Sequence, residues 1–149
     1  MSLLLRQAKP TDTPIILSLI KALAQYEHLS DRVSATVEEL EKALFERQEA
    51  LVILAEYDQH VVGFALYFYN FSTFLGKKGL YLEDLFVLEE HRNKGIGEAL
   101  FQQCLHIAKT EGCGRMEWSV LNWNEPSIEF YIKQGAKPMD DWTVYRLEL

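Results

Sequence analysis

No stretch of this 149-residue chain stays apolar long enough to cross a bilayer; the longest apolar run, Val61 to Tyr69, falls far short of the roughly 20 residues a membrane helix needs. The opening Met1 to Arg6 also lacks the layout of a secretory leader. Both absences predict a soluble, cytoplasmic chain with no membrane partner, in which Asn70-Phe71-Ser72 is an idle glycosylation pattern. Cysteine is scarce. The two present, Cys104 and Cys113, stand in neither metal nor redox spacing, and Cys104 lies on the apolar stripe Ile96, Leu100, Cys104, Ala108. They read as packing residues in a reducing compartment, and no metal site is expected. A basic surplus is missing too, since the formal net charge is −7. Neutralising phosphates takes a basic face, so nucleic acid is excluded as a partner and a cationic ligand fits better, although on charge alone the surplus acid serves solubility.

Linkers, repeats and low-complexity segments are likewise absent, and a 48% apolar content supports one sizeable core, so residues 1–149 read as a single domain. Strand and helix signals alternate. Leu3 to Ala8 reads as a strand, and Thr11 or Asp12 caps a helix whose positions Ile15, Ile16, Leu19, Ile20, Leu23 and Ala24 follow the 3.6-residue period. Thr36-Val37-Glu38-Glu39 is a capping box ahead of Leu40, Ala43 and Leu44. Leu51 to Tyr57 and Val61 to Tyr69 form a hairpin across Asp58-Gln59-His60, and Gly76-Lys77-Lys78-Gly79 marks the next turn. Leu80 to Leu88 is a strand, Ile96 to Thr110 a helix stopped at Gly112, and Arg115 to Leu121 another strand. Pro126 opens a short helix ended by Gly135, and Trp142 to Leu149 is a closing strand. The predicted class is α/β, a mixed central sheet flanked by helices.

Where the strand Leu80 to Leu88 hands over to the next helix, the chain carries Arg92-Asn93-Lys94-Gly95-Ile96-Gly97. The first amides of a helix lack intrahelical partners and sit at the positive end of its dipole, so glycines that admit an anion to the backbone make a phosphate cradle. Arg92 and Lys94 are expected to add full charges. The P-loop pattern finds no match, and the dinucleotide fingerprint fails because Leu100 stands where a third small residue belongs. A plain turn before a helix is the alternative.

Two further segments carry chemistry. In Tyr81-Leu82-Glu83-Asp84-Leu85-Phe86-Val87 two acids interrupt an apolar strand, and burying a carboxylate there is costly without a partner. Strand side chains alternate, so Glu83 and Asp84 should face opposite sides unless a bulge intervenes. In Asn122 to Tyr131, Ser127 and Tyr131 are four apart on one helix face, with Asn124 at the cap. Tyr131 is either a core aromatic or a donor aimed at a site.

The hinge fits R-x-x-G-x-G, and with Asn124-x-x-Ser127-x-x-x-Tyr131 and the order of elements the whole chain resembles the GNAT superfamily of N-acetyltransferases. Tyr26-Glu27, Tyr81-Leu82-Glu83-Asp84 and Trp123-Asn124-Glu125-Pro126-Ser127 narrow the likeness to the diamine (spermidine/spermine) and thialysine N-acetyltransferase branch. The resemblance implies a single-domain GNAT-like acyl-CoA N-acyltransferase fold that uses acetyl-CoA as cosubstrate. It implies that Leu85, Phe86 and Val87 bind the acetyl-CoA arm, that Arg92, Asn93, Lys94, Gly95, Ile96, Gly97 and Glu98 hold the pyrophosphate, and that Asn124, Glu125, Pro126 and Ser127 line the CoA chain. Tyr26, Glu27, Glu83, Asp84, Glu117, Trp118 and Ser119 become the substrate set, with Glu83 meeting the amine and Tyr131 the acid for the departing thiolate.

The function so implied is direct acetyl transfer, in a ternary complex, to a primary amine of a small cationic acceptor such as a diamine, polyamine or lysine-like amine. An alkylammonium titrates near pH ~10.4, so presenting it neutral at pH 7 costs roughly 4.6 kcal/mol, and Glu83 is expected to accept that proton directly or through water. A non-catalytic module binding CoA or a small cation, and an acetyltransferase for protein or peptide amines, are the alternatives. Trp142, Val144, Tyr145, Leu147 and Leu149 are apolar for a chain terminus, which a homodimer would cover, as the resemblance also implies.

Overall fold

The computed structural model describes residues 2–149. It forms strand β1 (Leu3–Gln7), helix α1 (Thr13–Tyr26), helix α2 (Val37–Glu41) running into a π turn (Lys42–Glu46), and strands β2 (Leu51–Tyr57), β3 (His60–Ser72) and β4 (Lys77–Val87). Helix α3 (Ile96–Thr110), strand β5 (Met116–Glu117) and helix α4 (Glu125–Lys133) follow. The sheet order is β1-β2-β3-β4-β5, antiparallel through β4 and parallel between β4 and β5, so it is mixed as expected.

Local chemistry accounts for most boundaries. The Thr36 hydroxyl accepts from the Glu39 amide at 3.2 Å while the Glu39 carboxylate accepts from the Thr36 amide at 2.9 Å, the reciprocal box that starts α2. Asp58 and Gln59 both adopt positive φ, 50° and 70°, the geometry of a two-residue hairpin turn between β2 and β3. Asp12 precedes α1, but its carboxylate is taken by Arg6 at 2.8 and 3.0 Å and by the Lys9 amide at 2.7 Å, so it anchors the entry loop and leaves the helix amides alone. The Arg6 bonds hold that carboxyl below its ordinary value.

One face of the sheet meets α1 and α2 in a core of Ile16, Leu19, Leu44, Val52, Leu54, Phe64, Leu66 and Phe86. On α1 the buried stripe takes in Leu17, whereas Ile15, expected inside, is 38% exposed. Helix α3 packs on the opposite face against β3 and β4, burying Ile96, Leu100, Phe101, Cys104 and Ala108.

Three expectations need correction. β4 begins at Lys77, because the turn sits three residues earlier than expected, over 73–76, and closes at Gly76 with φ 65°. β5 is two residues long where seven were expected, since only Met116 and Glu117 find a ladder, on Leu80 and Tyr81. Trp142 to Leu149 is not a strand, and its apolar residues stand open to solvent, Tyr145 at 91% and Leu147 at 88%. An apolar alternation becomes a strand when a neighbour supplies the ladder, and among the described residues none does so here. Packing divides the chain into two compact units, one ending at Trp118 and the other Ser119–Leu149.

Candidate active site

In the first unit the site is built on β4. Its register with β3 passes from Leu66 opposite Asp84 to Tyr67 opposite Leu82, which leaves Glu83 as the extra residue of a β-bulge. A bulge breaks strict alternation, so Glu83 and Asp84 need not face opposite sides. Asp84, paired with the core residue Leu66, lies on the α1 face. Burial, then the charges of Glu83 and Glu27, push the Asp84 carboxyl up to about 7. Glu27, at the end of α1, is pushed up as well, by burial and by Glu83. Three carboxylates from two elements therefore feel one another, with Glu83 exposed and Asp84 half-buried. A cation would lower the energy of all three.

Further along β4 the main chain turns outward. In an antiparallel ladder successive residues aim their N–H and C=O groups at opposite edges. The Leu88 amide donates to Val62 O at 2.8 Å, so Val87 aims both of its main-chain groups away from β3. The ladder with β5 covers Leu80 and Tyr81. Among the described residues Leu82 to Val87 thus presents an edge that no strand pairs. Gly63, opposite Val87, permits a close approach of β3: a Cβ there would lie 2.8 Å from Phe86 O and 3.2 Å from Val87 Cγ2.

The hinge follows directly. Asn93 (φ 63°) and Gly95 (φ 79°) take left-handed backbone that bends the chain into α3. Gly97 is different. Its φ is ordinary, and an added Cβ would meet just Val87 Cγ2, at 3.8 Å. Nothing inside the chain demands glycine at 97, and the missing side chain leaves open space beside the first turn of α3. The two cations, expected on pyrophosphate, are placed on aromatic rings. The Arg92 guanidinium lies 4.7 Å from the Tyr26 ring centre and 5.4 Å from that of Phe86, and its Nε donates to Val87 O at 2.9 Å. Lys94 Nζ is 4.6 Å from the Tyr57 ring, which His91 meets edge-on. The hinge is therefore clamped from both flanks, and Arg92 joins it to the end of β4 and to Tyr26 at the end of α1. Tyr57 carried no sequence signal, and the stacking partners of Arg92 could not be read from spacing.

Of the remaining expected residues, Glu117 is paired with Arg115 at 3.2 Å and Trp118 stacks edge-on against Phe101, centres 5.1 Å apart, so both have structural employment. The second unit contains Ser119 and the α4 segment. There Asn124, 4% exposed, caps α4 by accepting from the Ser127 amide at 3.4 Å, Pro126 occupies the first turn, and Ser127 and Tyr131 share a helix face. Both cysteines are free. Burial pushes the Cys104 thiol up to about 12 and raises that of Cys113, which disarms them as nucleophiles at neutral pH.

The first unit thus holds a helix N-terminus with glycine in its first turn, an unpaired strand edge and a carboxylate cluster. The acetyltransferase (GNAT) family profile matches residues 17–136, and the chain belongs to that family. It is similar to thialysine N-epsilon-acetyltransferase of Sus scrofa, 33% identical over 99% of this chain and 93% of that protein. It is also similar to the L-ornithine N5-acetyltransferase of Arabidopsis thaliana, 31% identical over 96% of this chain and 83% of that one. Among solved structures, an integron cassette protein from the mobile metagenome of V. cholerae superimposes with a TM-score of 0.82 at 28% identity, covering 99% of this chain and 93% of that one. The protein is an acetyltransferase with the GNAT fold.

Proposed function

We propose that this enzyme transfers acetyl from acetyl-CoA to a primary amine of a small acceptor that carries a second cationic group, by direct attack in a ternary complex. The observation that carries this is the β4 bulge, which puts Glu83 and Asp84 with Glu27 within electrostatic reach of one another beside the strand that leads into the Gly97 helix start. The amines named for the two relatives, thialysine and ornithine, each carry two amino groups.

Acetyl-CoA, when bound, supplies an activated acyl group on a thiolate leaving group. The chain's residues divide the remaining work. The first amides of α3, from Asn93 to Glu98, take the pyrophosphate, where orphan donors and the helix dipole favour an anion. The outward main chain of Leu85 to Val87 offers donors to the acyl arm, and the Val87 N–H is our choice for polarising its carbonyl. Glu83, exposed in the bulge, accepts the ammonium proton, directly or through water, and Asp84, Glu27 and Tyr26 hold the second cation. Asn124 to Ser127 serve the CoA chain, and Tyr131 protonates the departing thiolate. A phenol stays protonated at neutral pH, so it is a donor by default.

A homodimer belongs to the same reading, supported by the apolar side chains of Trp142, Val144, Tyr145 and Leu147 that stand exposed. A cytoplasmic setting is supported by the two free cysteines. Thiol release measured over monoamines, diamines, polyamines, lysine analogues and peptides tests the function. Amine-dependent release strongest with two-amine compounds is expected; binding of acetyl-CoA with no amine-dependent release makes the protein a binding module, and release with peptides alone makes it a protein acetyltransferase. Sedimentation at micromolar concentration tests the dimer, which a monomer mass would exclude.

A further inference from the structure

On the α1 face of the sheet, one step beyond the carboxylates, β3 and β4 carry a pair of aromatic rings that the chemistry above does not use. Phe68 and Tyr81 are direct partners in the ladder, with ring centres 5.2 Å apart and planes tilted by 31°. Their face follows from the register. Phe64 and Leu66 lie in the core against α1, and Phe68 is the next residue of that alternation. Asp84, opposite Leu66, shares the face, as does Tyr81 opposite Phe68. The bulge at Glu83 thus sets the carboxylates next to the rings along one surface. Both rings are half-buried, beyond the cluster that α1 and α2 seal, so part of each remains open. Face-on aromatic surface attracts alkylammonium groups and covers methylene chains at once.

We infer that Phe68 and Tyr81 form the wall that receives the hydrocarbon spacer and far ammonium of the acceptor, and so determine which amines the enzyme prefers. This rests on the acceptor reading above and adds a discriminating surface to it. Carboxylates alone rank acceptors by charge and reach. An aromatic wall adds selection for an apolar spacer and tolerance of alkylated nitrogen, because a ring face attracts a cation without needing its N–H groups.

Phe68→Leu and Tyr81→Leu keep apolar bulk and remove the π faces. Each should raise the KM for a two-amine acceptor roughly three- to twentyfold, by more than kcat falls, with the KM for acetyl-CoA as reference. Tyr81→Phe, which keeps the ring, should recover most of what Tyr81→Leu loses. The unaltered enzyme offers a second measurement, which stands even if the leucine variants melt early. Trimethylating the far nitrogen of a diamine should leave its KM within about threefold, whereas replacing that group by a hydroxyl should raise KM at least tenfold. Leucine variants that fold and keep the parental amine KM overturn the wall. So does a trimethylated compound that binds no better than the alcohol. An enzyme that acetylates monoamines and diamines alike instead overturns the acceptor reading, and the wall with it.

Discussion

The hinge before α3 and the acidic bulge lie close together on β4 and the turn after it, yet they are built by opposite means. The hinge is a backbone device. Asn93 and Gly95 bend its main chain into α3, and its cations are spent on Tyr26, Phe86 and Tyr57, where they brace the turn. The bulge is a side-chain device in which one inserted residue gathers carboxylates that regular alternation would separate. A loop that must hold an invariant anion gains from amides that cannot rotate away. A pocket that must hold and deprotonate a cation needs titratable groups, and these come from side chains.

If that division holds, side-chain variants should lose turnover and hinge variants should lose binding. The largest loss belongs to Tyr131→Phe, which keeps the ring: turnover should fall by about a hundredfold to ten-thousandfold, with acetyl-CoA affinity by calorimetry nearly unchanged. Full turnover in a folded variant would return Tyr131 to packing. Glu83→Gln should follow, lowering the rate about a hundredfold near pH 7 and less as pH rises and free amine becomes available. A constant ratio to the parent from pH 7 to 10 would remove Glu83 from the proton path.

On the hinge side, Gly97→Val should weaken acetyl-CoA binding about tenfold or more while melting like the parent, since the chain has room for a Cβ at that site. Arg92→Ala distinguishes bracing from phosphate contact. Losing a charge-assisted bond of roughly 1.5 to 3 kcal/mol at Val87 and the stack on Tyr26 should raise KM for acetyl-CoA and amine together. A rise confined to acetyl-CoA would mean that Arg92 meets the pyrophosphate after all.

A separate test, outside turnover and binding, concerns stability. Asp84 is raised from an ordinary carboxyl value to about 7 by burial and its acidic neighbours. The folded state thus holds a proton that the unfolded chain releases near pH ~3.9. Stability from this group is fully present below that value and is lost as pH rises through about 7. Asp84→Asn should abolish that decline, gaining at most about 4 kcal/mol relative to the parent at pH 8 over its standing at pH 4. Parallel pH profiles of Tm for the two proteins would show that Asp84 is ionised like any surface acid.

Much was legible in the residues because the forces behind it act within a few positions. The Thr36 box, the Asp58-Gln59 turn, the start of α3 after Gly95 and its stop at Gly112 depend on local hydrogen bonds and on which residues accept positive φ. The bend of the hinge was legible for the same reason, being set within six consecutive residues by Asn93 and Gly95. The capping of α4 by Asn124 belongs with these.

Other features depend on partners far along the chain, and no local pattern encodes them. Whether Glu83 and Asp84 share a side turned on how β4 registers with β3, a choice made by two hairpin strands packing together. Ile15 faces solvent and Leu17 the core because of where α1 lies on the sheet, within an arc that periodicity leaves open. Arg92 found Tyr26, sixty-six positions earlier, and Phe86 through that same packing. Trp142 to Leu149 has the composition of a strand and lacks the ladder, because pairing is a property of two backbones and apolar alternation supplies only one.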